Sequence, residues 1–163
     1  MKRIASVAVM LLLTILLCDA LSSAVKSLPE EVRASLKDPS DFHISASVSA
    51  IPNSVRMSFA KALGEERFAM AEPGAEWQVT DVVRKPGLPR RRLETVALSP
   101  SFCILFYELG GRGHTHHVAV FRLSTDGAKL VWRAVCDRAF THPTALLTGI
   151  ERGTVDDDPK YGF

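Results

Sequence analysis

Cysteine is scarce in this chain: there are three, and Cys18 falls at the end of the first apolar run, which leaves Cys103 and Cys136. Neither a cysteine nor a spaced histidine pair completes a familiar metal motif. An excess of one charge is also missing, because 20 Lys and Arg against 18 Asp and Glu give +2. Such a charge steers no partner by itself. With 47% hydrophobic and only 23% charged residues, a disordered coat protein is excluded. The turn Gly110-Gly111-Arg112-Gly113 lacks the Lys-Ser/Thr of a phosphate loop and precedes a strand pattern, which removes nucleotide binding. Ser99 and Ser101 have no nucleophile elbow around them. Asp156, Asp157 and Asp158 lack the spacing and glycine of a calcium loop.

What is present begins with an export signal. Lys2-Arg3 precedes an uncharged apolar run over residues 4–17, followed by the small residue Ala20 and by Ser22, Ser23 and Ala24. A spanning helix needs roughly 20 apolar residues, so a cleaved signal over 1–20 fits better than an anchor. The mature chain then starts at Leu21, with cleavage after Ala24 as the alternative. Lipidation at Cys18 is the other option, although Leu17 stands where lipoprotein signals carry a small residue. The expectation is a periplasmic or secreted protein. It would touch a membrane only through an uncleaved signal or a lipidated Cys18, would meet no nucleic acid, and would partner an unidentified component of the cell envelope.

The remaining length suits one domain with a sizeable core. Residues 21–41 read as an N-terminal extension with a short helix after Pro29, 42–150 as a single globular domain, and 151–163 as an irregular tail. Residues 42–50 alternate apolar and polar positions like a half-buried strand. A helix follows over 52–63, with Val55 and Phe59 on one face and Gly64 available to end it. Strand patterns then occupy 77–83, 92–98, 102–109, 116–123 and 129–136, separated by turn formers. Thr141 caps a last short helix over 141–150. The fold class is α+β: an antiparallel β-meander of about five strands with a helix packed on one face and a short C-terminal helix. Residues 102–109 are apolar almost throughout, which predicts a central strand covered on both faces. In that meander Cys103 and Cys136 lie two strand spacings apart, about 9.6 Å, so no disulfide joins them.

Met70-Ala71, Pro73-Gly74, Thr80-Asp81, Leu88-Pro89-Arg90-Arg91 and Tyr107-Glu108 with Gly110-Gly111 form a pattern that resembles exported bacterial proteins of unassigned function. The resemblance spans about residues 70–123. It implies export and no particular chemistry.

Two groups of residues are candidates for function. A hairpin folded about Gly111 and Arg112 sets Leu109 opposite Thr115 and Glu108 opposite His116. His114, two residues from His116, shares their face. Two imidazoles and a carboxylate form a zinc ligand set, so Glu108, His114 and His116 are the candidate metal ligands and zinc the candidate cofactor. A register slip of one residue would bring His117 opposite Glu108 and break the trio. The second group, Arg84, Lys85, Arg90, Arg91 and Arg92, surrounds Pro86, Gly87 and Pro89 as a basic loop suited to an anionic partner. No aromatic is interleaved as single-stranded nucleic acid would want. Three readings follow: a non-catalytic binding or accessory module of the envelope, a small zinc-dependent enzyme using Glu108, His114 and His116, or an inhibitor of an envelope enzyme.

Overall fold

The computed structural model describes residues 28–156, apart from 84, 137 and 153. The signal over 1–20, Cys18, the Leu21 start, Arg84 and residues 157–163 lie outside them. Six strands form one antiparallel sheet in sequence order: β1 (His43–Ser45), β2 (Arg91–Leu98), β3 (Phe102–Leu109), β4 (Thr115–Ser124), β5 (Gly127–Cys136) and β6 (Val155–Asp156). This is the α+β meander that short Pro and Gly connections dictate.

β3 is buried from Phe102 to Glu108, and both of its faces are covered. Against one face pack Val32 and Leu36 of α1 (Glu30–Lys37), together with Phe140 and with Leu146 of α3 (Pro143–Glu151). They cover Ile104, Phe106, Val118 and Val120. Against the other pack Val55 and Phe59 of α2 (Asn53–Ala62), which meet Cys103, Leu105, Tyr107 and Phe121. The i, i+4 spacing of Val55 and Phe59 gives α2 its apolar stripe, and Gly64 at φ 67° ends it in the left-handed conformation glycine tolerates. Helices therefore cover both faces of the sheet, α2 being the one expected from the sequence.

Residues 28–41 are no appendage, since Leu28, Val32 and Leu36 are buried in the same core as β3 and β4. Nor is the tail irregular from its first residues: Val155 and Asp156 pair with Cys136 and Val135 as β6. The cap of α3 is His142, whose Nδ1 accepts from the Thr144 amide, rather than Thr141. The first strand shrinks to His43–Ser45 because the Ser47 hydroxyl takes the Ser49 amide and starts a 3₁₀ turn over Val48–Ala50.

Residues 77–83 do not form a strand. The Gln78 side-chain amide donates to the carbonyls of Thr80 and Val82, which folds the backbone back on itself instead of offering it to a ladder. Trp77 and Gln78 are buried, while Val79, Val82 and Val83 face solvent. Among the described residues no helix is long and apolar enough to cross a membrane.

Candidate functional site

The β3–β4 hairpin has the register that its glycine turn implies: Leu109 opposite Thr115, Glu108 opposite His116 and Tyr107 opposite His117. Side chains alternate across a strand, so Glu108 and His116 share the face of Phe106 and Val118, while His117 turns to the other side. One ligand atom each from Glu108, His114 and His116 lies within 4.8 Å of the other two. His114 Nε2 is 2.8 Å from Glu108 Oε1. Glu108 is buried, His116 half-buried and His114 exposed, so the trio opens to solvent on the His114 side.

Two residues of β2 complete the arrangement. Arg92 sits opposite Glu108 and its Nε donates to Glu108 Oε2 at 2.5 Å. Glu94 is the extra residue of a β-bulge between Leu93 and Thr95, and its Oε1 is 2.7 Å from His116 Nδ1. That contact occupies one ring nitrogen of His116 and leaves Nε2 for another partner. Glu94 Oε2 is buried and makes no hydrogen bond among the described residues. In the sequence nothing sets Glu94 apart, and Arg92 stands in a basic stretch between turn formers and a strand. A simple hairpin between β2 and β3 starting from Leu98 and Cys103 would set Arg92 opposite Leu109; the bulge at Glu94, which nothing in the sequence marks, shifts it level with Glu108.

Trp77 closes one side of the cluster. Its ring meets the His114 ring edge-on at 5.6 Å between centroids, and the Arg92 guanidinium lies 5.1 Å from its centroid. Gly110 permits this approach: a Cβ built there would stand 1.9 Å from the Gln78 carbonyl oxygen. The amides of Gln78 and Gly111 bond to Pro89 and Val79, which lays the segment along the turn.

The electrostatics divide the two carboxylates. Burial pushes the Glu94 pKa up, opposed by the His116 beside it. Burial also works against ionisation of Glu108, but the Arg92 hydrogen bond and charge, with His114, outweigh it and hold that carboxyl below the usual range. On the opposite face His117 stacks on Tyr107 at 5.3 Å and bonds Thr115 Oγ1 through Nε2. Burial, then the positive charges of Arg91, His116 and Arg133, lower its pKa to about 4. Cys103 and Cys136 are both buried and free, and burial raises the Cys103 thiol to about 12.

The basic residues do not form one surface loop. Arg91 and Arg92 are the first residues of β2, and alternation sends them to opposite faces. Arg91 is buried, its Nη1 2.9 Å from Glu65 Oε1 and its guanidinium 5.7 Å from the Phe59 centroid. Arg92 is held on Glu108, Arg90 donates to the Gly110 carbonyl, and Lys85 pairs with Glu76 at the surface. Arg84 lies outside the described residues.

Comparison of the chain with protein-family models, with curated proteins and with solved structures finds no match.

Proposed function

We propose that this chain is an exported, non-catalytic binding module of the cell envelope whose ligand centre is the Glu108, His114 and His116 cluster, and that the cluster holds a divalent cation of the zinc class. The observation that carries the reading is the convergence of one carboxylate oxygen and two imidazole nitrogens within 4.8 Å on a single hairpin. A tetrahedral ion with bonds of about 2.1 Å separates its ligand atoms by about 3.4 Å, so side-chain adjustments of about 1 Å close the set. Charge favours it as well. Glu108, whose carboxyl is held below the usual range, supplies a negative ligand to a dication. Two of the three ligands also have an outer partner, Arg92 for Glu108 and Glu94 for His116, as metal-binding side chains commonly do. Export rests on the leader pattern of residues 1–20.

The second reading, a small zinc-dependent enzyme, draws on one further observation: Glu94 Oε2 is buried beside the cluster without a partner, where a general base would stand.

Metal analysis of the purified mature protein tests the proposal. Close to one equivalent of zinc, retained through dialysis and lost in His116→Ala, is the expected result. Protein that takes up no zinc, and whose Tm zinc leaves unchanged, would overturn it. Hydrolysis of simple esters or amides by the zinc form, abolished by Glu94→Gln, would favour the enzyme over the binding module.

A further inference from the structure

A cleft of about 610 Å³ shares Trp77 and Arg92 with the surroundings of the cluster, and its lining also includes Glu76, Val79, Lys85 and Leu88. Arg92 is fixed there from two directions. Its Nε is bound to Glu108 and its guanidinium packs on Trp77, yet its two terminal amino groups take no partner among the described residues. A guanidinium held in this way presents a rigid fork with the geometry of a carboxylate. Among the described residues Lys85 is engaged only by Glu76, and both side chains are largely in water. Such a pair is worth little and opens readily.

We propose that this cleft binds a small organic carboxylate, with its two oxygens on the end of the Arg92 guanidinium and its apolar body between Val79 and Leu88. The fork selects a planar anion, and the apolar walls select a body larger than a bare inorganic ion. This narrows the sequence expectation of an anionic partner for the basic stretch from a surface to a pocket. It stands apart from the cation reading, because Arg92 offers the same fork whether or not a metal sits on Glu108.

The test is a titration of the chelator-treated mature protein with benzoate, benzyl alcohol and inorganic phosphate, followed by the indole N–H resonance of Trp77. Trp132→Phe assigns that resonance, since the chain has two tryptophans. Benzoate should shift it saturably, benzyl alcohol and phosphate should bind at least about tenfold more weakly, and Arg92→Lys, which keeps the charge but loses the fork, should weaken benzoate about tenfold. Lys61→Gln, on α2, should leave the titration unchanged. Equal binding of benzyl alcohol would overturn the proposal, as would tighter binding of phosphate, an undiminished response in Arg92→Lys, or no response at all. Because the titration is done without metal, its failure leaves the zinc measurement standing, and absence of zinc uptake leaves this site standing.

Discussion

Glu94 reaches His116 across an intervening strand: the two residues sit on β2 and β4, with β3 between them, yet Glu94 Oε1 is 2.7 Å from His116 Nδ1. The bulge between Leu93 and Thr95 supplies the extra residue that turns inward at this point. If the cluster holds zinc, Glu94 fixes the tautomer that presents His116 Nε2 to it. Glu94→Gln should then lower zinc affinity by about tenfold or more while leaving the metal-free fold intact. Competition against a chromophoric chelator measures this. An unchanged affinity would reduce Glu94 to a packing partner.

Gly110 sets how close Trp77 can come. Gly110→Ala drives a methyl group into the Gln78 carbonyl and should cost about 3 kcal/mol in urea unfolding, with the Trp77 environment disturbed in near-ultraviolet dichroism. At Gly111 the nearest atom to a built Cβ is an Arg90 side-chain nitrogen at 3.4 Å. Gly111→Ala should therefore cost no more than about 1 kcal/mol. Similar losses for the two would remove the close approach as the reason.

Two consecutive arginines, Arg90 and Arg91, should differ sharply. Arg91 is buried against Glu65, which is itself about one-third exposed. Arg91→Met keeps the packing of the stem and should still destabilise by about 2 kcal/mol, less than for a fully buried pair because Glu65 keeps some water. Arg90→Met, at an exposed position, should stay within about 0.5 kcal/mol. Melting curves showing equal effects would contradict the burial of Arg91 against Glu65.

His117 gives the fold a pH dependence with a defined sign. The folded protein keeps this ring neutral down to about pH 4, whereas an unfolded chain protonates it near 6.5. The unfolded state thus binds more protons between those values, so this contribution is complete above about pH 6.5 and lost as pH falls to about 4, some 3 kcal/mol in all. Arg91, His116 and Arg133 supply the neighbouring charges, after burial itself. Urea unfolding in chelator should show a weaker loss on acidification for His117→Gln than for the parent chain. Identical pH slopes would mean that the ring is protonated in the fold.

The parts of the molecule legible in the sequence are those where a local pattern and a turn agree. The Gly-Gly-Arg-Gly turn fixed one register for the alternating residues around it, and so the neighbourhood of Glu108, His114 and His116 followed. Val55, Phe59 and Gly64 carried α2 in the same way. Other features depended on distant contacts. Residues 77–83 have strand composition, but the Gln78 side chain competes for the carbonyls and the gap at Gly110 draws the segment against the turn. α1 offers only Val32 and Leu36 as buried positions, too few to separate a core helix from an extension. The Glu94 bulge has no glycine or proline to announce it. Arg91 and Arg92 looked like loop cations because the Pro and Gly residues before them hide where β2 begins.

The hairpin that brings the trio together also sets the order of its assembly. Glu108, His114 and His116 fall within nine consecutive positions, so closing one short loop collects all three. Hairpins form within microseconds, long before distant strands dock. Glu94 and Arg92 arrive only when β2 also pairs with β3, a second hairpin closed through Ser99, Pro100 and Ser101. A cation would therefore meet a loose, water-rich grip while only one hairpin has closed and a tightened one when both have. Metal capture and the closing of the second hairpin would then be coupled, with the ion acting as a template on which the two hairpins meet.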